Sequence, residues 1–461
     1  MRLSDAKKWI LSLASASVLT QMVFAQATVP AAMPARPETI ILIQGGDKAP
    51  APAATPAPAA APAVAPSQTI EAAPSTDAAA PAADGPWRLF PDEIAGFKVT
   101  GWVYGTGVYN GTNSGNTRYN GPMTMSDQEG VFLNQLYFSV SRGLKEELSW
   151  GATFDGFWGN DYNASQSRDW EIRNVRALNP SGPSQTPPQP TGQKWNTGQD
   201  YGLASPQSYL EVGTTKTSVK VGHFWTPIGY MVVQGPGNFF NTQPYGFMAT
   251  NPFTHWGALA THNVSDNLWI QGGVVNGWDA LDRPINVPSY LVGGRYSFNE
   301  KKGYLQYHLI TGQEPENLGT GYGGRTLQNG IFDYVINDTW EFVLEANLLN
   351  QNNRTAENST SYNIHPFLFY KINDCWKAGM RYEYFHDPSG FMAGIRNGNP
   401  NLGPYNGNNQ TFAFGLNYTP NKNLNIRPEY RYDVFNGNGS PYNAGNSSAQ
   451  HLFIIGAFYQ F

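Results

Sequence analysis

The chain has only one cysteine, Cys375, among 461 residues. A single cysteine cannot form an intramolecular disulfide, which excludes the disulfide framework of a small secreted scaffold and any metal site built from several thiolates. Charged residues make up 14% of the chain, against roughly a quarter in ordinary soluble domains. The formal net charge of −5 is mild, so we expect no nucleic-acid partner.

Several signatures of enzymes and of helical membrane proteins are also missing. The 7 histidines show no H-x-x-x-H spacing, and the phosphate-binding pattern G-x-x-x-x-G-K-[ST] is absent. No segment after the first residues approaches the run of about 18 apolar residues that a transmembrane helix needs. We therefore expect no metal, no cofactor and no enzymatic activity, although a Ser–His or Asp–His pair could still assemble in space.

The N-terminal part has the composition of an exported leader followed by a tether. Arg2 and Lys7 precede a modest apolar stretch that ends in the small-residue sequence VFAQA, so we predict a signal peptide over residues 1–25. Residues 26–84 are dominated by alanine and proline. Such a composition cannot bury a core and favours a disordered or extended periplasmic tether, which could reach toward the cell wall. The structured domain is predicted over residues 85–461.

The segment NLNIRPEYRYDVF, at residues 423–435, alternates between two kinds of residue. Ile426 and Tyr430 belong to the apolar set, while Arg427 and Glu429 belong to the charged set. A period of two indicates a β-strand with two unlike faces. The apolar face could cover a soluble core, or it could face lipid while the charged face lines a water-filled interior.

Aromatic residues at strand ends favour the membrane arrangement. Tryptophan and tyrosine recur next to predicted turns, at Trp150, Trp340, Trp376 and Tyr304. These are the positions of an interfacial aromatic girdle in a membrane barrel. A soluble β-sandwich would favour interdigitating aliphatic residues on its apolar faces instead. The sequence therefore predicts lipid outside and water inside.

Strand-like runs from Phe97 onward are joined alternately by short turns and long polar loops. The predicted turns are 142–147, 213–217, 263–267, 299–303, 336–339, 371–375 and 419–423. The predicted loops are 110–130, 159–205, 225–253, 278–288, 312–326, 350–361, 387–408 and 435–449. This layout predicts an all-β fold, a transmembrane antiparallel β-barrel of about 16 strands with short periplasmic turns and long extracellular loops. Both termini are then periplasmic, and the barrel lies in the bacterial outer membrane.

Charged residues of the inward parity are the candidate pore-lining residues. They are Asp155, Lys220, Arg295, Glu341, Glu345, Lys377, Arg381, Glu383, Arg427, Glu429, Arg431 and Asp433. Opposed charges across a lumen create a transverse field that orients polar solutes, whereas nearly balanced signs argue against strong ion selectivity. The alternative is that they only hydrate the lumen and pair with each other. A wet lumen should tolerate either sign at Arg427 and Arg431.

The loop 225–253 is unusually apolar for an exposed connection. Its candidate constriction residues are Tyr230, Met231, Phe239, Phe240, Tyr245 and Phe247. Exposed loops rarely carry so much apolar surface without a partner. We expect the loop to fold into the lumen and narrow it, and the alternative is that it packs over the barrel mouth or against a neighbouring subunit.

The chain ends in HLFIIGAFYQF, which places Tyr459 and Phe461 on one parity of a closing strand. An aromatic C-terminal residue on such a strand resembles the signal that the outer-membrane assembly machinery selects. We therefore predict that Tyr459 and Phe461 form an assembly signal and that outer-membrane lipid surrounds the barrel.

The chain resembles the outer-membrane porins of the "β-barrel porin-2" family of planctomycete-type bacteria. The likeness is carried by FKVTGWVYG (97–105), FLNQLYFSVSR (132–142), the apolar block at 221–261, IRPEYRYD (426–433) and Phe461. The resemblance implies a passive channel for small hydrophilic solutes such as ions and sugars, without catalytic residues. A structural or adhesion barrel tethered to the cell wall is the alternative. Trimers are usual for barrels of this size, so a homotrimer is an open possibility by analogy.

Overall fold

The computed structural model describes residues 87–461 except 92, 114–117, 124, 176–188, 194, 196–199, 282–286, 316–321, 354–356 and 389–404. The predicted signal peptide and the predicted tether lie outside the described residues. Within the described ranges, no helix has the length and apolar character needed to cross a membrane. The regular elements there are almost all strands.

The strands are β1 Lys98–Asn110, β2 Gly130–Arg142, β3 Ser149–Gly159, β4 Ile172–Val175, β5 Gln189–Gln193, β6 Gly202–Gly213, β7 Thr217–Trp225, β8 Thr254–Ser265, β9 Leu268–Val275, β10 Ser289–Phe298, β11 Gly303–Pro315, β12 Tyr322–Val335, β13 Trp340–Asn352, β14 Ser359–Lys371, β15 Trp376–Asp387, β16 Gly407–Tyr418, β17 Leu424–Gly437 and β18 Ala449–Gln460. Short 3₁₀ turns lie at Asn160–Ala164, Gly235–Gly237 and Asn443–Gly445, and one α-helix, α1, spans Tyr245–Thr250.

All strands except β4 and β5 join into one closed antiparallel barrel of sixteen strands. Each barrel strand pairs with its neighbour along the chain, and β1 closes the barrel by pairing with β18. The remaining pair, β4 and β5, forms a separate two-stranded sheet in the connection between β3 and β6. The predicted fold class and strand number are confirmed, and every predicted turn and loop overlaps a connection between barrel strands.

The two parities of each strand face different surroundings. On β17, the side chains of Arg427, Glu429 and Arg431 are buried inside the barrel, whereas those between them are more exposed. On the outside, apolar side chains such as Ile455 are exposed, with 57% of its surface accessible. An alternating strand with an apolar outer face is the pattern of a membrane barrel.

Tyr304 corrects one detail of the predicted aromatic girdle. Trp150 and Trp340 are exposed on the outside of the barrel. Tyr304 instead points inward and is buried, with its hydroxyl donating to Asp333 at 3.2 Å. The prediction was wrong because Gly303 precedes Tyr304 at the turn, so local composition did not show which parity faces outward there.

The last residue takes part in closing the barrel. The Phe461 N–H donates to the Gly101 carbonyl at 2.9 Å, and the Gly101 N–H donates to the Phe461 carbonyl at 3.0 Å. A β-carbon at Gly101 would lie 2.7 Å from the Phe461 ring and 2.4 Å from the Tyr137 carbonyl oxygen. Glycine therefore allows the first barrel strand and the C-terminal residue to approach each other. The role of Phe461 and Tyr459 in assembly remains a prediction.

Candidate functional site: the barrel interior

The connection between β7 and β8, residues 226–253, crosses the interior of the barrel, and we call it the interior segment. The Gly235 N–H donates to Gln135 Oε1 on β2 at 3.0 Å, and the Tyr230 N–H donates to Glu345 Oε2 on β13 at 3.0 Å. A segment that binds inward side chains of strands so far apart around the barrel lies inside it. Its six predicted constriction residues, Tyr230, Met231, Phe239, Phe240, Tyr245 and Phe247, are each at most 7% exposed.

Aromatic packing holds one side of the interior segment against β14. The ring of Phe239 lies 5.0 Å from that of Phe369, and the ring of Tyr230 lies 4.7 Å from that of Phe367. Glycine on β15 makes room for this contact, since a β-carbon at Gly379 would lie 2.4 Å from the Phe239 ring. The apolar composition of the segment is therefore explained by packing within the barrel.

Glutamates of β13, β15 and β17 accept hydrogen bonds from backbone N–H groups of the interior segment. Glu345 binds at Tyr230, as described above. Glu383 accepts from Tyr245 and Gly246, both at 2.7 Å, at the start of α1. Glu429 accepts from the N–H groups of Asn241 and Thr242, at 2.6 and 3.1 Å, and from the Thr242 hydroxyl.

Arginines of β15 and β17 donate to backbone carbonyls of the same segment. Arg381 donates to the Thr242 carbonyl at 2.6 Å. Arg427 donates to the carbonyls of Asn238 and Gly235, at 2.7 and 2.9 Å. Arg431 donates to the Gln243 carbonyl at 2.5 Å.

Together these six side chains, Glu345, Glu383, Glu429, Arg381, Arg427 and Arg431, form what we call the clamp. Hydrogen bonds to charged groups contribute about 1.5–3 kcal/mol each, so the clamp fixes the backbone of the interior segment strongly. All six are 5% exposed or less. The sequence led us to expect charges that face water, whereas the structure places these inside the barrel but covers them with protein.

Three of the other predicted lining residues are also buried. The Tyr137 hydroxyl donates to Asp155 at 2.5 Å, and Gln207 donates to the same carboxylate at 2.6 Å. Asp433 accepts from Arg431 Nε at 2.8 Å. The ammonium of Lys220 lies 4.6 Å from the centre of the Phe224 ring. These charges have protein partners rather than an open aqueous surface.

Arg295, Glu341 and Lys377 are the predicted lining residues that stay partly exposed. The Lys377 ammonium lies 2.7 Å from Glu341, and the two side chains are 18% and 26% exposed. Arg295 donates to Gln306 Oε1 at 2.9 Å through Nε. All three lie close to the short turns, near the ends of β10, β13 and β15.

Sequence reasoning missed Gln135, which connects β2 to the interior segment. Its amide donates to the Val233 carbonyl at 2.7 Å and to Asp161 at 2.8 Å. Asn134 and Gln135 are both buried, because the β1–β2 register shifts between Tyr104 and Gly105. The sequence did carry a sign of this register shift, because Asn134 and Gln135 are two successive polar residues in an otherwise alternating strand.

Burial raises the pKa of Asp161 to about 6, while hydrogen bonds from Asn134 and Gln135 oppose this shift. Asp161 lies in the 3₁₀ turn that follows β3. Its carboxylate adds a charge to the same network that holds the Gly235 end of the interior segment through Gln135.

The structure does assemble a Ser–His pair, at Ser167 and His223. The Ser167 hydroxyl lies 2.8 Å from His223 Nε2. His223 Nδ1 lies 2.9 Å from the Ser205 carbonyl oxygen, not from a carboxylate. Both side chains are fully buried, so this pair offers no face to a substrate. Within the described residues, no group of three or more histidine, cysteine or acidic side chains could hold a metal ion.

A closed barrel with an apolar outer face and a polar inner face crossed by its own segment defines a porin-type outer-membrane protein. The chain belongs to the family described as "Putative beta-barrel porin-2, OmpL-like", which matches residues 96–461. The predicted family is confirmed. A comparison with curated proteins finds no similar sequence.

Solved porin structures share this fold at low sequence identity. The outer membrane channel DcaP of Acinetobacter baumannii is 12% identical, with a TM-score of 0.51 over 80% of this chain and 99% of that chain. An anion-selective porin from Comamonas acidovorans is 9% identical, with a TM-score of 0.51 over 79% and 99%. At such identities the likeness shows the fold alone.

Proposed function

We propose that the protein is a passive porin through which small hydrophilic solutes, such as ions and sugars, diffuse across the outer membrane. The observation that carries this proposal is the polar inner face of a closed sixteen-strand barrel. Apolar side chains outside and hydrogen-bonding side chains inside suit a water-filled passage through lipid. Family membership and fold both support a channel that has no enzymatic activity.

In this proposal the interior segment narrows the passage. The charged residues of the wall have two roles, which depend on whether the segment covers them. The clamp holds the segment in place and contributes little charge to the passage, because its side chains are covered. Arg295, Glu341 and Lys377, which are partly exposed, meet the permeating solute. The selectivity of the channel then depends on these residues near the short turns.

The proposed orientation places the short turns and both termini in the periplasm and the long loops outside the cell. Six of the seven short connections span at most five residues between strands, as between Lys371 and Trp376, whereas the loop between β3 and β6 runs from Gly159 to Gly202. Outer-membrane barrels have short periplasmic turns and long external loops.

Single-channel recording in a planar bilayer tests the proposal. We expect discrete conductance steps from refolded protein and none from the same protein added in an unfolded state. Liposome swelling with sugars of increasing size should then give an exclusion limit. A barrel that inserts fully, as shown by heat-modifiable migration on a gel, yet gives no steps would contradict the channel.

A structural or adhesion barrel is the second candidate, with the Ala/Pro-rich residues 26–84 reaching the cell wall. Deleting residues 28–84 should leave barrel assembly and conductance intact if the channel proposal is right. Co-sedimentation of the full chain, but not the deletion variant, with isolated peptidoglycan would support the tether. A homotrimer remains a proposal by analogy, which cross-linking in native membranes would test.

A further inference from the structure

Residues 87–91 and 93–97, which we call the rim strap, run along the turn end of the barrel before β1 begins. The Trp87 N–H donates to Asn423 Oδ1 at 3.1 Å, and its carbonyl accepts from Asn423 Nδ2 at 2.9 Å. Asn423 belongs to the turn between β16 and β17, and its Nδ2 also donates to the Gln460 carbonyl at 2.7 Å. One side chain thus attaches the strap to both a turn and the last strand.

The rim strap lies on the outside of the barrel at both of its ends. The ring of Trp87 lies 6.0 Å from that of Tyr459, an exposed outward residue of β18. The ring of Phe97 lies 6.2 Å from that of Trp150, an exposed outward residue of β3. The strap therefore follows the outer rim from β18 toward β3, across the seam where the first and last strands meet.

Large apolar side chains of the rim strap are exposed. Trp87, Leu89 and Ile94 are 55%, 48% and 45% accessible. Scattered apolar residues are common on protein surfaces, but here the rings at the two ends of the strap, Trp87 and Phe97, contact the outward aromatic residues Tyr459 and Trp150. Tryptophan prefers the headgroup level of a bilayer, where its ring is partly apolar and its N–H can be hydrated.

We propose that the rim strap is a membrane-surface anchor that lies among the phospholipid headgroups of the leaflet around the turn end of the barrel. This inference rests on the proposed insertion of the barrel in a bilayer. It goes beyond the channel itself, because it assigns a lipid contact to residues that precede the first strand. The strap then lies beside the membrane rather than across the opening, so it leaves the solute path clear.

Spin labels at single cysteines test the lipid contact directly. The only native cysteine is first removed by the substitution Cys375→Ser. Labels are then attached in separate Leu89→Cys and Ile94→Cys variants, with Ile455→Cys as the lipid reference and Asp338→Cys, in the exposed turn between β12 and β13, as the aqueous reference. Each variant is reconstituted in phosphatidylcholine vesicles and checked for heat-modifiable migration.

We expect the labels at 89 and 94 to collide with oxygen several-fold more often, relative to a water-soluble nickel chelate, than the label at 338. Adding Asn423→Ala should shift both labels toward the aqueous value, because the attachment of Trp87 is lost. If the label at 455 is in lipid while those at 89 and 94 match the aqueous reference, the anchor is refuted. If the label at 455 is itself aqueous, the barrel is not inserted, and the proposed channel is refuted as well.

Discussion

Two sets of charges on β15 have the same parity but different surroundings. Arg381 and Glu383, near the middle of the strand, are buried and bind the backbone of the interior segment. Lys377, at the start of the same strand, pairs with Glu341 and stays partly exposed. Parity therefore decides that a charge points inward, whereas its depth relative to the interior segment decides whether it meets protein or water. Charge replacements at the two depths should consequently affect different properties.

The largest effect is expected from reversing two clamp charges together, Arg427→Glu with Arg431→Glu. The new carboxylates would face the carbonyls of Asn238, Gly235 and Gln243 without a donor, because the guanidinium groups that bind them are lost. Breaking buried charged contacts costs about 3–5 kcal/mol, so unfolding in denaturant should begin at lower concentration. In the protein that still folds, the interior segment should be released and the conductance should rise.

The matched control reverses two partly exposed charges, Arg295→Glu with Lys377→Glu. This double variant should fold with nearly normal stability. Its reversal potential in a salt gradient should move in the direction of greater cation selectivity. Equal stability of the two double variants would contradict the distinction between covered and exposed charges.

A charge on the opposite parity of β17 tests the outer face. Tyr430 lies near the middle of the strand and faces outward, with its hydroxyl 2.7 Å from His451 Nδ1. Tyr430→Arg should lower the stability of the barrel in lipid by about 2–4 kcal/mol if the position lies near the bilayer midplane. Tyr430→Phe is the control and should insert normally. Refolding yield in vesicles measures both, and similar yields for the two variants would argue against a lipid-facing surface.

Neutralising one clamp carboxylate, Glu429→Gln, should have an intermediate effect. The glutamine oxygen can still accept from the N–H groups of Asn241 and Thr242 at the Oε2 position, but its NH₂ group would replace Oε1, which accepts from the Thr242 hydroxyl. The loss of a charged acceptor should cost about 1.5–3 kcal/mol and increase current noise in single channels as the segment moves. Glu341→Gln is the matched control at the exposed depth, with an expected cost below about 1 kcal/mol. If the current noise of the Glu429→Gln channel equals that of the parent, the clamp does not hold the segment.

The pH dependence of stability should report Asp161, a covered charge connected to the segment through Gln135. Because burial raises the pKa of Asp161 to about 6, above the unfolded value of about 3.9, the folded protein holds its proton more tightly. Its contribution therefore favours folding at low pH and declines as pH rises from about 4 through 6. Asp161→Asn should remove this slope, so the stability of the variant relative to the parent should increase between about pH 4 and 6, the interval between the two pKa values, and level off at higher pH. If the stability difference between Asp161→Asn and the parent is the same at every pH in this range, the raised pKa of Asp161 is contradicted.

The smallest effect is expected from one exposed charge, Lys377→Gln. Stability should change by no more than about 0.5 kcal/mol, since this group is partly hydrated. The reversal potential should still move slightly toward cations, because a positive charge is lost from the passage. Lys145→Gln, in the exposed turn between β2 and β3, provides the control and should leave selectivity unchanged. If the reversal potential shifts equally in both variants, Lys377 does not line the passage.

Most of the barrel could be predicted because strands and turns follow from residues that are close together in the sequence. The alternation of Ile426, Arg427, Pro428 and Glu429 follows from the two-residue period of a strand, and lipid on one side enforces the apolar parity. Short polar connections such as 371–375 mark turns for an equally local reason. Tyr304 was misplaced where a glycine next to a turn interrupted this pattern.

The site was predicted only in part, because contacts within it join distant residues. The apolar composition of residues 225–253 indicated a covered segment, and charge on the inward parity indicated a polar interior. Neither pattern shows that Glu429 binds Asn241, a residue 188 positions earlier. Gln135 was missed for the same reason, since its side chain bonds to four partners on other elements.

The barrel strands, their apolar faces and the turns between them could be predicted from the sequence, because these properties repeat over two to five residues. Which inward charges are covered depends on how the chain folds. That outcome depends on the interior segment, whose backbone groups lose water inside the barrel and must be satisfied by whatever side chains lie opposite. Arg381 therefore binds the interior segment whereas Lys377 stays partly exposed, although both are basic, inward-facing residues of one strand.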